Sequence, residues 1–145
     1  MAKQRSVSVS RLIDAPADVI FDLLAHPDRH AEIDGSGTVR SAKGDPSTRL
    51  ELGSKFGMKM KLGVPYDISN RVVEFEEGRL ITWAHFGGHR WRYELEPTDD
   101  GTMVTETFDW STSKAPWFIE LAGYPKSHPE NMRKTLERLE AVVTA

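Results

Sequence analysis

The chain has 145 residues, of which 39% are hydrophobic and 28% charged, and this composition is typical of one folded domain over residues 1–145. Lys and Arg number 19 against 22 Asp and Glu, so the formal net charge is −3, which argues against nucleic-acid binding. Cysteine is absent, which excludes disulfides, thiolate nucleophiles and cysteine-based zinc sites and fits a cytoplasmic location. The apolar runs are far shorter than the ~20 residues of a transmembrane helix, so we expect no integral membrane segment.

The N-terminal part of the chain predicts a strand followed by two short helices. Apolar and polar residues alternate over positions 7–13, which is the pattern of a half-buried strand. Ala17, Ile20, Phe21 and Leu24 then follow Pro16 at the spacing of one helical face. A second helix is expected from the His26-Pro27 pair to about Ile33, before the glycine-rich positions 34–37.

Residues 38–110 read as strands separated by turn sequences at 43–46, 53–54, 63–65, 76–78, 87–88 and 98–101, which predicts an antiparallel sheet of consecutive hairpins. Phe56, Met58 and Met60 share one face of their strand, and Lys59 and Lys61 occupy the other. The inner face of this strand is therefore expected to be rich in methionine.

The last two hairpins allow the register to be predicted. A four-residue loop at 98–101 pairs Tyr93 with Glu106, Trp91 with Phe108 and His89 with Trp110. A three-residue loop at 86–88 then pairs His85 with His89 and Trp83 with Trp91, whereas a two-residue loop would turn Trp83 outward. We prefer the three-residue loop because it gives one continuous inner face, made of Ile81, Trp83, His85, His89, Trp91, Tyr93, Leu95, Val104, Glu106, Phe108 and Trp110.

Two helices are expected at the C-terminus. Pro116 begins the first, which Gly123 and Pro125 end. Ser127 and Glu130 have the spacing of a capping box for the second, whose apolar stripe consists of Met132, Leu136, Leu139 and Val143. Since the sheet offers the only large apolar surface, this helix is expected to lie across its concave face.

The opening strand, the segment at 13–24 with its Ala15-Pro16 entry, His26-Pro27-Asp28-Arg29 and the late turn Asp100-Gly101-Thr102 together resemble the START-like (SRPBCC) superfamily. More narrowly, the chain resembles the polyketide cyclase/dehydrase and lipid-transport group. It departs from many members at 31–34, where they carry a tryptophan. The resemblance implies an α+β helix-grip fold, in which a curved antiparallel sheet wraps around a long C-terminal helix. It also implies a cavity for a lipid, a polyketide or another hydrophobic small molecule.

Glu106 is the candidate acid or base, because the predicted register puts its carboxylate on the apolar face opposite Tyr93. A buried carboxylate needs a partner, and desolvation would raise its pKa toward a range useful for proton transfer. The alternative is a structural, partly solvated residue paired with an arginine such as Arg71. Binding of a ligand's polar end is a third reading of the same position.

Two histidine pairs are also candidates for chemistry. His85 and His89 flank a hairpin turn and could form a proton-transfer or metal-binding pair, although satisfied surface histidines are the commoner outcome. His26 and His30 are four residues apart, but the glutamate of a metalloprotease motif is missing, so a structural role is favoured. We therefore expect no metal site and no cofactor.

The aromatic and methionine residues form either a filled core or the wall of a pocket. With the resemblance in mind, the expected ligand-binding set is Phe56, Met58, Met60, Trp83, His85, His89, Trp91, Tyr93, Glu106, Phe108, Trp110 and Phe118. The leading hypothesis is a monomeric or homodimeric protein that binds a hydrophobic small molecule. The alternatives are a cyclase or dehydratase using Glu106 or a histidine, and an interaction module with a collapsed cavity.

Overall fold

The computed structural model describes residues 5–26, 29–33, 39–43, 49–62, 64–85, 87–121 and 124–144. The elements follow one another as β1 (Ser6–Ile13), α1 (Ala17–Leu24), α2 (His30–Ile33), β2 (Val39–Lys43), β3 (Lys55–Leu62), β4 (Val64–Glu76), β5 (Leu80–His85), β6 (Arg90–Thr98), β7 (Gly101–Asp109), α3 (Pro116–Leu121) and α4 (Tyr124–Val143). Two short helices after the first strand and a long C-terminal helix confirm the predicted α+β class. In the described part of the chain, no helix has the length and apolar character needed to cross a bilayer.

The seven strands form one antiparallel sheet in the order β1-β7-β6-β5-β4-β3-β2. Strands β2 to β7 are joined as consecutive neighbours, as the turn sequences predict, but the described residues 49–52, between the first two predicted turns, form no strand. Strand β1 instead pairs with β7, with Ser6 opposite Asp109 and Ile13 opposite Thr102. This arrangement, with α4 packed on the sheet, is the helix-grip fold.

The predicted register of the last hairpins is confirmed. Tyr93 lies opposite Glu106, Trp91 lies opposite Phe108, and Trp83 lies opposite Trp91 in the preceding hairpin. Two details differ. Thr98 and Gly101 pair with each other, so the loop has only Asp99 and Asp100, and the β6–β7 ladder ends at the pair of Arg90 and Asp109, one step before the expected pair of His89 and Trp110.

Helix α4 packs its apolar stripe on the sheet. Leu136 and Leu139 are fully buried in a cluster that also holds Ile13 of β1, Ile20 of α1 and Val104 of β7. Nearer the start of the helix, Met132 packs in a second cluster with Phe108 and Trp110. The stripe therefore contacts two chemically different surfaces along its length.

The predicted start of this last helix is wrong. Helix α4 begins at Tyr124, so Ser127 lies inside its first turns and not at the cap, and Pro129 lies within the helix. The physical reason is Pro125, the second residue of the helix, where a missing N–H costs nothing because the first N–H groups have no intrahelical acceptor. The earlier start adds a turn, so His128 lies inside the helix and not beside its cap.

Candidate functional site

The inner face of β5, β6 and β7 carries aromatic rings at alternate positions, because successive strand residues point to opposite faces. Contacts between these rings and residues of β3, α2 and α4 form two groups. The Trp83 cluster consists of His30, Phe56, Trp83 and Tyr93. The Phe108 cluster consists of His85, His89, Trp91, Phe108, Trp110 and His128.

The Trp83 cluster is held by a buried histidine. The ring of His30 stacks on Trp83 with centroids 5.1 Å apart, and Nε2 of His30 lies 2.8 Å from the backbone oxygen of Leu24. Phe56 meets Trp83 edge-on at 5.6 Å, and Tyr93 lies 5.5 Å from Trp83. Edge-on and offset arrangements of this kind add to the stability that burial provides.

Phe108 is the centre of the second cluster. Its ring centroid lies 4.5 Å from that of His128 and 4.6 Å from that of Trp91. The rings of His89 and Trp110 each lie 5.6 Å from it. Helix α4 therefore contributes an imidazole directly to the aromatic surface of the sheet.

His85 and His89 stack across the β5–β6 turn with ring centroids 4.4 Å apart and an interplanar angle of 18°. The backbone N–H of Gly87 donates to Nδ1 of His85 over 3.2 Å, so this nitrogen is an acceptor. A neighbouring segment supports the turn: the Thr112 hydroxyl donates to the Gly88 carbonyl over 2.6 Å, and the backbone N–H of Lys114 donates to the Gly87 carbonyl over 2.9 Å. The histidine pair is therefore held in place from both sides of the turn.

The histidines of the Phe108 cluster favour the neutral form. Burial, together with smaller contributions from the nearby rings of His85 and His128, lowers the pKa of His89 to about 4. Burial alone lowers the pKa of His128 to about 4, and it also lowers the pKa of His85. At neutral pH these rings are uncharged hydrogen-bonding groups and not cations.

Glu106 is buried between the two clusters, with 3% of its surface exposed. The hydroxyl of Tyr93, itself 5% exposed, donates to Oε2 of Glu106 over 3.0 Å. Arg71, the alternative partner, is exposed on β4 between buried Asn70 and Val72, which puts it on the outer face of the sheet. The partner seen is thus the cross-strand tyrosine that the register predicted, and not a surface arginine.

Trp110 ends the inner face of β7. Only 4% of its surface is exposed, and its buried indole Nε1 has no hydrogen-bond partner among the residues that the structure describes. Its neighbours in the apolar cluster are Val7, Val9, Trp91, Phe108 and Met132. These side chains offer ring and aliphatic surface but no strong acceptor for the indole N–H.

Most of the predicted binding residues meet in these two clusters. Phe56, Trp83 and Tyr93 belong to the first, His85, His89, Trp91, Phe108 and Trp110 belong to the second, and Glu106 lies between them. The side chains of Met58, Met60 and Phe118 lie outside the described residues, although the backbone of Met58 and Met60 follows β3.

The second histidine pair is separated. Nδ1 of His26 lies 2.6 Å from the backbone oxygen of Asp22, whereas His30 contacts Leu24 and Trp83. The two rings thus make different contacts, in keeping with the structural role favoured from sequence. Among the residues that the structure describes, no three His, Asp or Glu side chains are placed to hold a metal ion.

Three polar residues that contact or lie beside the two clusters were missed by sequence reasoning. His128 lies one helical turn before Met132, so extending the apolar stripe backward would have found it. His30 was considered only as a partner of His26. Asn70 is 6% exposed and lies opposite both Phe56 and His85, yet an asparagine in a strand carries no signal that tells an inner from an outer position.

Comparison with known proteins gives consistent results. The family model for polyketide cyclase/dehydrase and lipid transport matches residues 4–144. A protein of Mycobacterium tuberculosis described as uncharacterised is 44% identical over 139 residues, covering 92% of this chain and 62% of that protein. The chain thus spans less than two thirds of that curated relative.

Solved structures share the fold at low sequence identity. An X-ray structure of a protein from Nitrosomonas europaea has a TM-score of 0.75 at 16% identity, covering 99% of this chain and 97% of the other. The solution structure of a polyketide-cyclase-like protein from Corynebacterium glutamicum has a TM-score of 0.60 at 23% identity, covering 99% and 91%. At these identities the likeness establishes the fold alone.

Proposed function

Because the chain belongs to the polyketide cyclase/dehydrase and lipid-transport family, we propose that it binds a hydrophobic small molecule, a lipid, polyketide or aromatic metabolite, between the sheet and α4. The family's helix-grip fold is a hydrophobic-ligand-binding fold. Beyond this general property of the fold, we propose which residues of this chain contact the ligand.

The observation that carries the proposal is the buried hydrogen bond between Tyr93 and Glu106 in the middle of an aromatic surface. A carboxylate at such a position costs free energy to desolvate, and apolar side chains of similar volume would serve stability at least as well. An interaction with a polar group of the ligand therefore explains the buried Tyr93–Glu106 pair better than a contribution to folding stability does.

The two aromatic clusters supply the apolar part of the site. Burial of apolar surface contributes roughly 25 cal/mol per Å², so rings on either side of Glu106 can provide most of the binding free energy. Tyr93, Glu106 and His89 then orient the polar end of the ligand. Met58, Met60 and Phe118 remain predicted wall residues.

Tryptophan fluorescence and thermal unfolding test this proposal. A panel of fatty acids, sterols and aromatic polyketides should contain ligands that quench the emission of Trp83 and Trp91 and raise the melting temperature. Native mass spectrometry of freshly purified protein should detect a bound compound of the same class. A panel without any such ligand, together with a mass spectrum of the bare chain, contradicts the proposal.

A second candidate function is acid/base catalysis of the cyclase or dehydratase type. The 3.0 Å contact between the Tyr93 hydroxyl and Glu106 favours it, because a buried carboxylate can take a proton next to a carbonyl while a tyrosine hydroxyl stabilises the enolate. The proton would move from the substrate carbon to Glu106 and return to the product.

Product formation separates the two functions. Glu106→Gln keeps the shape of the side chain but removes the base, so an enzyme would lose turnover of a poly-β-ketone while still binding it. Met58→Leu is the matched control, because it changes only an apolar side chain. Equal product formation by wild type and Glu106→Gln excludes Glu106 as the base, whereas no product formation by the wild type contradicts catalysis and leaves binding.

The remaining predictions concern the whole protein. We propose that residues 1–145 fold as one domain, that the protein is a monomer or homodimer, and that it acts in the cytoplasm without nucleic acid. Since the relative from Mycobacterium tuberculosis is longer, its activity as a whole is a separate question.

A further inference from the structure

The indole N–H of Trp110 is a strong, buried donor to which the described part of the chain gives no acceptor. Most buried polar groups in proteins have a hydrogen-bond partner, so an orphaned donor on the inner face of the sheet requires an explanation. Trp110 lies on the same strand face as Phe108 and Glu106, and its ring stacks on Phe108 with an interplanar angle of 26°. A ligand that reaches the Phe108 ring can therefore also reach Trp110.

The imidazoles that contact the same Phe108 ring as Trp110 are uncharged at neutral pH. His89 and His128 both contact the ring of Phe108, and burial is the main cause of the lowered pKa of each. Neutral imidazoles can donate or accept one hydrogen bond through each ring nitrogen without adding charge. They suit an uncharged oxygen better than an ionised one.

The charged groups near the cluster also disfavour an anion. Glu106 is on the same face of β7, two residues before Phe108, and its carboxylate would repel another one. Arg5 is the basic residue paired with Trp110 through the backbone: the backbone oxygen of Arg5 accepts a hydrogen bond from the backbone N–H of Trp110. Nε of Arg5 makes no hydrogen bond among the described residues, but it lies 3.4 Å from Oε1 of Glu120, so an ion pair partly neutralises this guanidinium.

We propose that Trp110 Nε1 is the donor of a ligand subsite formed with Phe108, His89 and His128, and that this subsite takes an uncharged oxygen acceptor such as a ketone and discriminates against a free carboxylate. The inference rests on the proposed function, because it specifies one polar contact of the same ligand. It assigns a role to a residue that was expected only as apolar wall.

Three naphthalenes substituted at the same ring carbon test the subsite: acetylnaphthalene, isopropylnaphthalene and naphthoate. They have the same ring system and similar size, but they carry a ketone, an apolar group and a carboxylate. Calorimetric titration of the wild-type protein at neutral pH should give the ketone an affinity about fivefold higher than the apolar compound, the gain of one net hydrogen bond. Naphthoate should bind more weakly than the ketone.

Two further readouts identify the donor. In proton–nitrogen NMR spectra of the wild type, the indole resonance of Trp110 should move downfield with acetylnaphthalene and stay in place with isopropylnaphthalene. Trp110→Phe removes the N–H and should abolish the preference for the ketone, so that the ketone and the apolar compound bind the variant with equal affinity. The NMR measurement needs no variant, so the test stands even if Trp110→Phe does not fold.

The outcomes separate the two proposals. The subsite is overturned if the Trp110 resonance does not move and either all three compounds bind with equal affinity or naphthoate binds most tightly. The proposed function is then left intact. Absence of binding by all three contradicts the proposed function and the subsite together. A ketone preference that persists in Trp110→Phe assigns the contact to another donor and overturns this inference.

Discussion

The two halves of α4 pack on surfaces of opposite character. In the second half, Leu136 and Leu139 are fully buried in a cluster that includes aliphatic side chains of β1, α1 and β7 and extends to the Trp83 cluster. We call this region the aliphatic end. In the first half, His128 and Met132 contact the Phe108 cluster. The rings there bring polar atoms next to apolar surface, which a region serving stability alone would avoid. The comparison indicates that the aliphatic end serves stability, and we propose that the Phe108 end also contacts the ligand.

The largest expected effect is at the aliphatic end. Leu136→Ala removes a side chain with no exposed surface and should lower the free energy of unfolding by about 3 kcal/mol, through lost burial and the cavity left behind. Urea unfolding measures the loss. If the two ends of α4 act independently, the ligand affinity of Leu136→Ala should stay within about twofold of wild type, measured well below the temperature at which the variant unfolds. A large loss of affinity would show that the ends are coupled.

Acid should destabilise the Phe108 cluster selectively. Burial lowers the pKa of His89 and His128 from 6.5 to about 4, so the unfolded chain takes up these protons first. Their contribution is complete above pH 6.5 and is lost as the pH falls toward about 4. Each ring adds at most about 1.4 kcal/mol per pH unit, and partial exposure makes the slope smaller.

Unfolding curves across this pH range measure that effect. Replacing both His89 and His128 with Asn removes the two titrating groups, so the variant should show a shallower loss of stability in acid than wild type. Equal slopes for the two proteins would mean that these rings are no harder to protonate in the folded state than in the unfolded chain.

Gly88 tests how firmly the histidine pair is held. Its φ is +100°, and an added Cβ would lie 2.4 Å from the backbone oxygen of Thr112. Gly53 also has a positive φ, +85°, but a Cβ there meets no atom within 4 Å. Gly53→Ala should therefore cost about 1 kcal/mol of left-handed strain, whereas Gly88→Ala should cost about 1 kcal/mol more and weaken ligand binding. Equal losses of unfolding free energy in the two variants would mean that the contact with Thr112 does not restrict residue 88.

The smallest expected effect on stability is at the boundary between the two ends. Tyr93→Phe removes the hydroxyl that donates to Glu106 and should cost about 1 kcal/mol of unfolding free energy, because one hydrogen bond to a buried carboxylate is lost. Pairing it with Glu106→Gln in a double-mutant cycle isolates the interaction. Additive losses would mean that the two side chains do not interact in solution.

The sequence predicted the register of β5, β6 and β7 because tight turns leave few alternatives and a slip of one residue would turn every ring outward. Tyr93 opposite Glu106 followed directly from that register. The hydrogen bond between them did not, because the pattern places two side chains on one face without telling which atoms meet. Arg71 remained an alternative until the structure put it on the outer face.

The contribution of α4 to the site was harder to predict. Ser127 and Glu130 have the spacing of a capping box, and this local signal competed with Pro125, which proved to lie in the first turn. The error hid His128, since a residue beside a cap is not expected to face a sheet. The orphaned N–H of Trp110 was equally hidden, because the absence of an acceptor depends on neighbours from strands far apart in the chain.

The pairing of β1 with β7 has a consequence for biosynthesis. During translation Ser6–Ile13 is made before the strands β2 to β6, and its hydrogen-bonding partner, Gly101–Asp109, is made after all of them. The intervening hairpins can form one after another as each is completed. Strand β1 cannot pair until β7 has been made, so its apolar side chains stay accessible to chaperones longer than those of the hairpins.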